Sequence, residues 1–139
     1  LPTLVREWNP LLGFDHVAFT VFIELPGRPG GATVLPQQNA TLPDGMRWHL
    51  RLRAHGWSNT LFTAEGASAT HEGTAAGQAA RLDVDGDTHT LTWTLPARAF
   101  GGAGLEGDGL AGARIHVTTW DYDGGFRALA PDAGGTTFG

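Results

Sequence analysis

Apolar and polar positions alternate with a period of two along Gly13–Leu25, GFDHVAFTVFIEL. From Val17 onward Val17, Phe19, Val21, Ile23 and Leu25 make one face, with Ala18, Thr20, Phe22 and Glu24 between them. This predicts a strand whose odd face is committed to a core. Phe22 on the even face predicts a central strand with its second face partly covered. Three further runs keep the period. Trp48–Ala54 sets Trp48, Leu50, Leu52 and Ala54 against a polar row of His49, Arg51, Arg53 and then His55. Thr88–Leu95 sets Leu91, Trp93 and Leu95 against four threonines, and Arg114–Trp120 sets Ile115 and Val117 against His116, Thr118 and Trp120.

The segments between these runs are dense in turn residues. Asp85-Gly86 predicts a two-residue turn joining Gln78–Val84 to Thr88–Leu95 as a hairpin. Pro26–Arg47 has no convincing period, although Ala32–Leu35 can form a short edge strand within it. Thr60–Ala64 and Phe126–Leu129 read as short strands. The glycine-rich stretch Ala97–Gly112 offers no apolar face to dock and is expected at the surface. No sustained helical period occurs anywhere. The expected fold is therefore all-β, an antiparallel β-sandwich of immunoglobulin-like or jelly-roll type with long loops.

Composition narrows the function. At 139 residues the chain is one domain's worth, 1–139. It begins at Leu1 and shows no charged-then-apolar leader, so the expectation is a fragment of a longer multidomain protein. The net charge is −5 and all nine cations are arginines, which disfavours nucleic acid as a partner. No apolar run is long enough for a membrane span. Without cysteine there is neither a disulfide framework nor a thiolate metal site.

Candidate chemistry gathers at strand ends, where each group has two readings. Trp57 follows the arginine row as either an aromatic plate or a core residue, with Arg51, Arg53 and Asn59 as donors to hydroxyls or as a solvated face. Trp120 is the second candidate plate. Asp121 and Asp123, in Asp121-Tyr122-Asp123-Gly124-Gly125, offer hard oxygen ligands for calcium, with Asp15 as a third; the alternative is carboxylates that satisfy the amides of their own turns. The sequence contains none of the HExxH, GxSxG or phosphate-loop motifs, and a carboxylate pair of a glycoside hydrolase would be assembled only in space.

Trp8-Asn9-Pro10 leading to Gly13-Phe14-Asp15-His16, the stretch LTWTLPARAFG and the final ARIHVTTWDYDGGFRAL together resemble the C-terminal β-sandwich domain of glucodextranase. Related modules are appended to amylopullulanase-type glycosidases, among the family 9 carbohydrate-binding and DOMON-like folds. Members usually begin with an acidic, glycine-rich segment and two or three further strands, so the resemblance implies that this sequence starts after them and that one sheet lacks strands or is completed by a partner. The resemblance implies a non-catalytic module, extracellular or at a bacterial cell surface, that holds a polysaccharide-acting enzyme near glycan such as α-glucan beside adjoining domains. The alternatives are a structural spacer, a glycoside hydrolase, and a haem-binding domain. Haem would need Met46 with one of His16, His49, His55 or His116.

Overall fold

The computed structural model describes residues 17–55, 58–76, 80–100, 110–121 and 136–137. Among these described residues ten strands follow in order: β1 (Val17–Glu24), β2 (Val34–Leu35), β3 (Ala40–Thr41), β4 (Leu50–His55), β5 (Ser58–Thr63), β6 (Thr74–Ala75), β7 (Arg81–Asp85), β8 (Thr90–Thr94), β9 (Arg114–Asp121) and β10 (Thr136–Thr137). One 3-10 turn, Ala97–Phe100, interrupts them. The main sheet has the order β6-β5-β4-β1-β9, antiparallel throughout. β1 is interior, with β4 on one side and β9 on the other, as its two apolar faces predict.

Each face of this sheet carries its own core. On one, Ile23, Leu25, Leu50, Leu52, Ala54 and Leu61 pack with Ala99 and Phe100 of the 3-10 turn and with Trp93 of the β7-β8 hairpin, whose ring lies 5.3 Å from Phe19. On the other, Phe22 packs with Leu35, Ala40, Leu42 and Trp48, so that β2 and β3 form a second layer. The result is a sheet covered on both sides except along β9, where Ile115 and Val117 stay 63% and 54% exposed, in the sandwich-like all-β arrangement expected.

Several details differ from the expectation. The even face of β1 is the more completely covered: Ala18, Thr20 and Phe22 are all 0% exposed, whereas Val17, Phe19 and Val21 keep partial exposure. The reason is Pro26–Arg47, which a period search leaves blank because its strands are two residues long, yet which lays the second layer over that face. The 3-10 turn likewise docks Ala99 and Phe100 into the core where a surface loop was expected. The β7-β8 loop has four residues, Gly86 to His89, because Asp85 pairs with Thr90. Asp85 Oδ1 accepts from the amides of Asp87 and Thr88, and His89 closes the loop at φ 54°. That side-chain capping outcompetes the two-residue turn.

Trp48 belongs to the opposite core from Leu50, despite the shared parity. Leu50 is in register with Ile23, and the amide of His49 also donates to Ile23 O at 2.8 Å, so two residues face one. This is a β-bulge, and it turns Trp48 over the sheet edge into the second layer. There Trp48 is fully buried, its indole donates to Val34 O at 2.8 Å, and its ring meets Phe22 edge-on at 5.6 Å.

Candidate functional site

The arginine row of β4 sits on the even face, under the second layer. Arg51 stands opposite Phe22 of β1 and Phe62 of β5; Arg53 stands opposite Thr20 and Thr60. Arg51 is 0% exposed, its guanidinium lies 4.7 Å over the Phe62 ring, and its Nη2 is 3.4 Å from Glu72 Oε1. The same oxygen accepts a hydrogen bond from Arg53 Nη1. Two cations thus share one carboxylate across an aromatic ring. Burial pulls Arg51 down to about 10, Arg53 adds to the shift, and Glu72 opposes it, so the guanidinium stays charged at neutral pH.

Glu72 reaches these arginines because Gly73 holds the next stretch of chain against β5. A Cβ at Gly73, at φ 95°, would lie 2.1 Å from Thr63 O, so only glycine lets the backbone pass.

Of the other expected contacts, Asn59 is engaged internally: its Nδ2 donates to Ala80 O at 2.9 Å and its Oδ1 accepts from Ala80 N at 2.6 Å. Arg53 and Glu72 keep 24% and 18% of their side-chain surface, whereas Arg51 keeps none. Trp120 and Asp121 lie near the end of β9, in register with Ala18 and Val17. Trp57, Asp123 and Asp15 lie outside the described residues. Among the described residues no group of three His, Asp or Glu side chains is placed to hold a metal.

A second locus was not singled out by the sequence. Where β1 ends, Leu25, Pro26, Gly27 and Arg28 make a tight turn closed by Arg28 N donating to Leu25 O at 3.3 Å, with Gly27 at φ 67°. Pro before a positive-φ glycine is the type II signature. The His49 ring, brought round by the bulge, spans this turn. Nδ1 accepts from the Leu25 amide at 3.0 Å and Nε2 faces Arg28 O at 3.1 Å. An amide N–H can only donate and a carbonyl can only accept, so the ring is neutral with its proton on Nε2. Burial lowers its pKa accordingly, outweighing the contact with Arg28 O. The turn, His49, Thr63 and Glu65 border a cleft of about 290 Å³. Arg28, whose Nη1 already donates to Phe100 O at 3.2 Å, brings its remaining donors to it and Glu65 a two-oxygen acceptor, a pairing suited to hydroxyl groups. The one available signal was the PGRPGG run, whose glycines marked a sharp turn around a single arginine.

The family model describing the C-terminal binding-module, SLH-like, of glucodextranase matches residues 3–139, and the chain belongs to that family. Comparison with curated proteins and with solved structures finds no match.

Proposed function

We propose that this chain is the carbohydrate-binding, cell-surface-associating module of a polysaccharide-acting enzyme, itself without catalysis. The observation that carries this reading is the family match over nearly the whole chain, to a domain described as a binding module. Trp57 and Trp120 are the proposed aromatic plates, and Arg53, the partly exposed member of the row, is the proposed donor to sugar hydroxyls. Arg51 and Asn59 act behind them, holding Glu72 and the β7-β8 hairpin in place. Their engagement inside the fold also favours a second reading, a spacer that braces a neighbouring domain.

Measuring affinity for α-glucans and other polysaccharides, with melting temperature, on Trp57→Ala and Arg53→Ala separates the two. Under the binding reading Trp57→Ala loses on the order of 2 kcal/mol of binding and little stability. Folded variants that bind as the parent does, or a parent that binds no glycan, leave the spacer.

A further inference from the structure

We infer that His49 is a proton-operated latch on the turn that walls the cleft, closed when the imidazole is neutral and released when it is protonated. The ring staples both ends of one turn: the amide of the turn's first residue, Leu25, gives its hydrogen to Nδ1, and the carbonyl of its last, Arg28, takes the hydrogen of Nε2. These two bonds use both nitrogens in the single arrangement a neutral ring allows. A second proton must go on Nδ1, where it would point at the Leu25 N–H, donor against donor. The Leu25 amide would then be buried without an acceptor, since Leu25 is 4% exposed and the ring takes the place of the next ladder bond between β1 and β4.

The charged surroundings work in the same direction. Arg28 on the turn and Arg47 just before the bulge repel an added charge, Glu24 at the end of β1 attracts it, and Glu65 stands across the cleft. Glu24 is already engaged by Arg114, whose Nη2 lies 2.8 Å from Oε1 and 2.7 Å from Oε2, and by the Arg47 amide at 3.3 Å. It is not free to swing toward the imidazolium. Desolvation disfavours the charged ring as well.

Release has a defined extent. The segment beyond the turn is held separately: Arg47 Nη1 donates to Gly30 O at 3.1 Å, and Ala32 and Trp48 exchange backbone bonds at 3.0 and 2.8 Å. Gly31 passes close beneath, where a Cβ would sit 2.9 Å from Trp48 O and 3.1 Å from His49 Nε2. What loosens is therefore the Pro26–Pro29 backbone, between two fixed points at Ile23 and Gly30, while the Arg28 side chain keeps its own tether, Nη1 donating to Phe100 O at 3.2 Å. Acid loosens the turn that walls the cleft and leaves the sheet in place.

The test is NMR on the whole chain between pH 7.5 and 5. The expected result is a His49 imidazole with unprotonated Nδ1 and protonated Nε2 at pH 7.5. As it titrates, the protection factor of the Leu25 amide falls about tenfold per pH unit, the slope for uptake of one proton, while β4 and β5 amides hold theirs. In His49→Asn the side-chain oxygen occupies the Nδ1 position and cannot titrate, so Leu25 protection becomes independent of pH. The proposal is overturned if His49 carries its proton on Nδ1, if Leu25 protection does not follow its titration, or if His49→Asn shows the same acid loss. Should His49→Asn fail to fold, the tautomer and the wild-type protection profile still decide.

Discussion

Asn59 holds Ala80 as a neighbouring strand would: its side-chain amide both donates to and accepts from the Ala80 backbone, at 2.9 and 2.6 Å. Ala80 is 6% exposed and leads directly into β7, so this clamp fixes where the hairpin carrying Trp93 crosses the sheet. Asn59→Ala leaves a buried amide and carbonyl without partners and is expected to cost about 2 kcal/mol in denaturant unfolding. Asn59→Asp sets a carboxylate oxygen against Ala80 O and should cost more. If alanine is tolerated with unchanged stability, the clamp is not carrying the hairpin.

The Arg51–Glu72–Arg53 group makes opposite predictions for its members. Removing the shared carboxylate by Glu72→Gln leaves Arg51 buried and charged with no counter-ion, and should destabilise by about 3 kcal/mol. Arg51→Met removes the buried charge, whose guanidinium lies over Phe62, and puts an apolar chain in its place, so it should be close to neutral. Urea unfolding of the two variants checks this, and a larger loss for Arg51→Met would reverse the assignment of cost.

How far the sequence was readable follows from these residues. The period of two found β1, β4, β8 and β9 because a residue's side of a strand is fixed by parity. Parity does not say how deep the cover on each side is. Arg51 looked like a surface residue because its partners, Glu72 and the second layer over it, come from segments without a period. Trp48 defeated the pattern differently, since one bulged residue at His49 reverses every side-chain assignment before it. Asn59 was recognised as a hydrogen-bonding group, but whether its amide meets a sugar or a backbone is settled by the arrival of Ala80 from 21 residues away. The His49 staple carried no local signal beyond a histidine beside a strand.

For Asp121, Asp123 and Asp15 calcium binding is the alternative to turn formation. The β1-β9 register sets Asp121 opposite Val17, two positions after Asp15 in the chain. An ion bound only by the folded protein raises its melting temperature by mass action, and excess chelator abolishes that gain. The expected outcome is an unchanged melting temperature on chelation, with these carboxylates serving their own turns. A fall that added calcium reverses, and that Asp121→Asn removes, would assign them to the metal.

The dependence of stability on pH should show two stages, read from urea unfolding between pH 8 and 3. Burial lowers the pKa of both His49 and His116 below the ordinary 6.5. Between 6.5 and the lowered value the unfolded chain binds a proton that the folded one does not. Stability is therefore complete above about pH 6.5 and declines as pH falls through that window. Glu24 supplies the second stage. Its hydrogen bond to Arg114 leads the causes holding its carboxyl below the ordinary 4.5, against some opposing desolvation. Its contribution is thus present above about pH 4.5 and is lost as pH falls through the lowered value. Arg114 also bonds Gly45 O, so its guanidinium ties β9 to the Pro26–Arg47 segment as well as to Glu24 of β1. His49→Asn should flatten part of the upper stage and leave the lower one unchanged, and Glu24→Gln should do the reverse. A profile in which either variant moves the other's stage would mean that the two ends of this corner titrate as one unit.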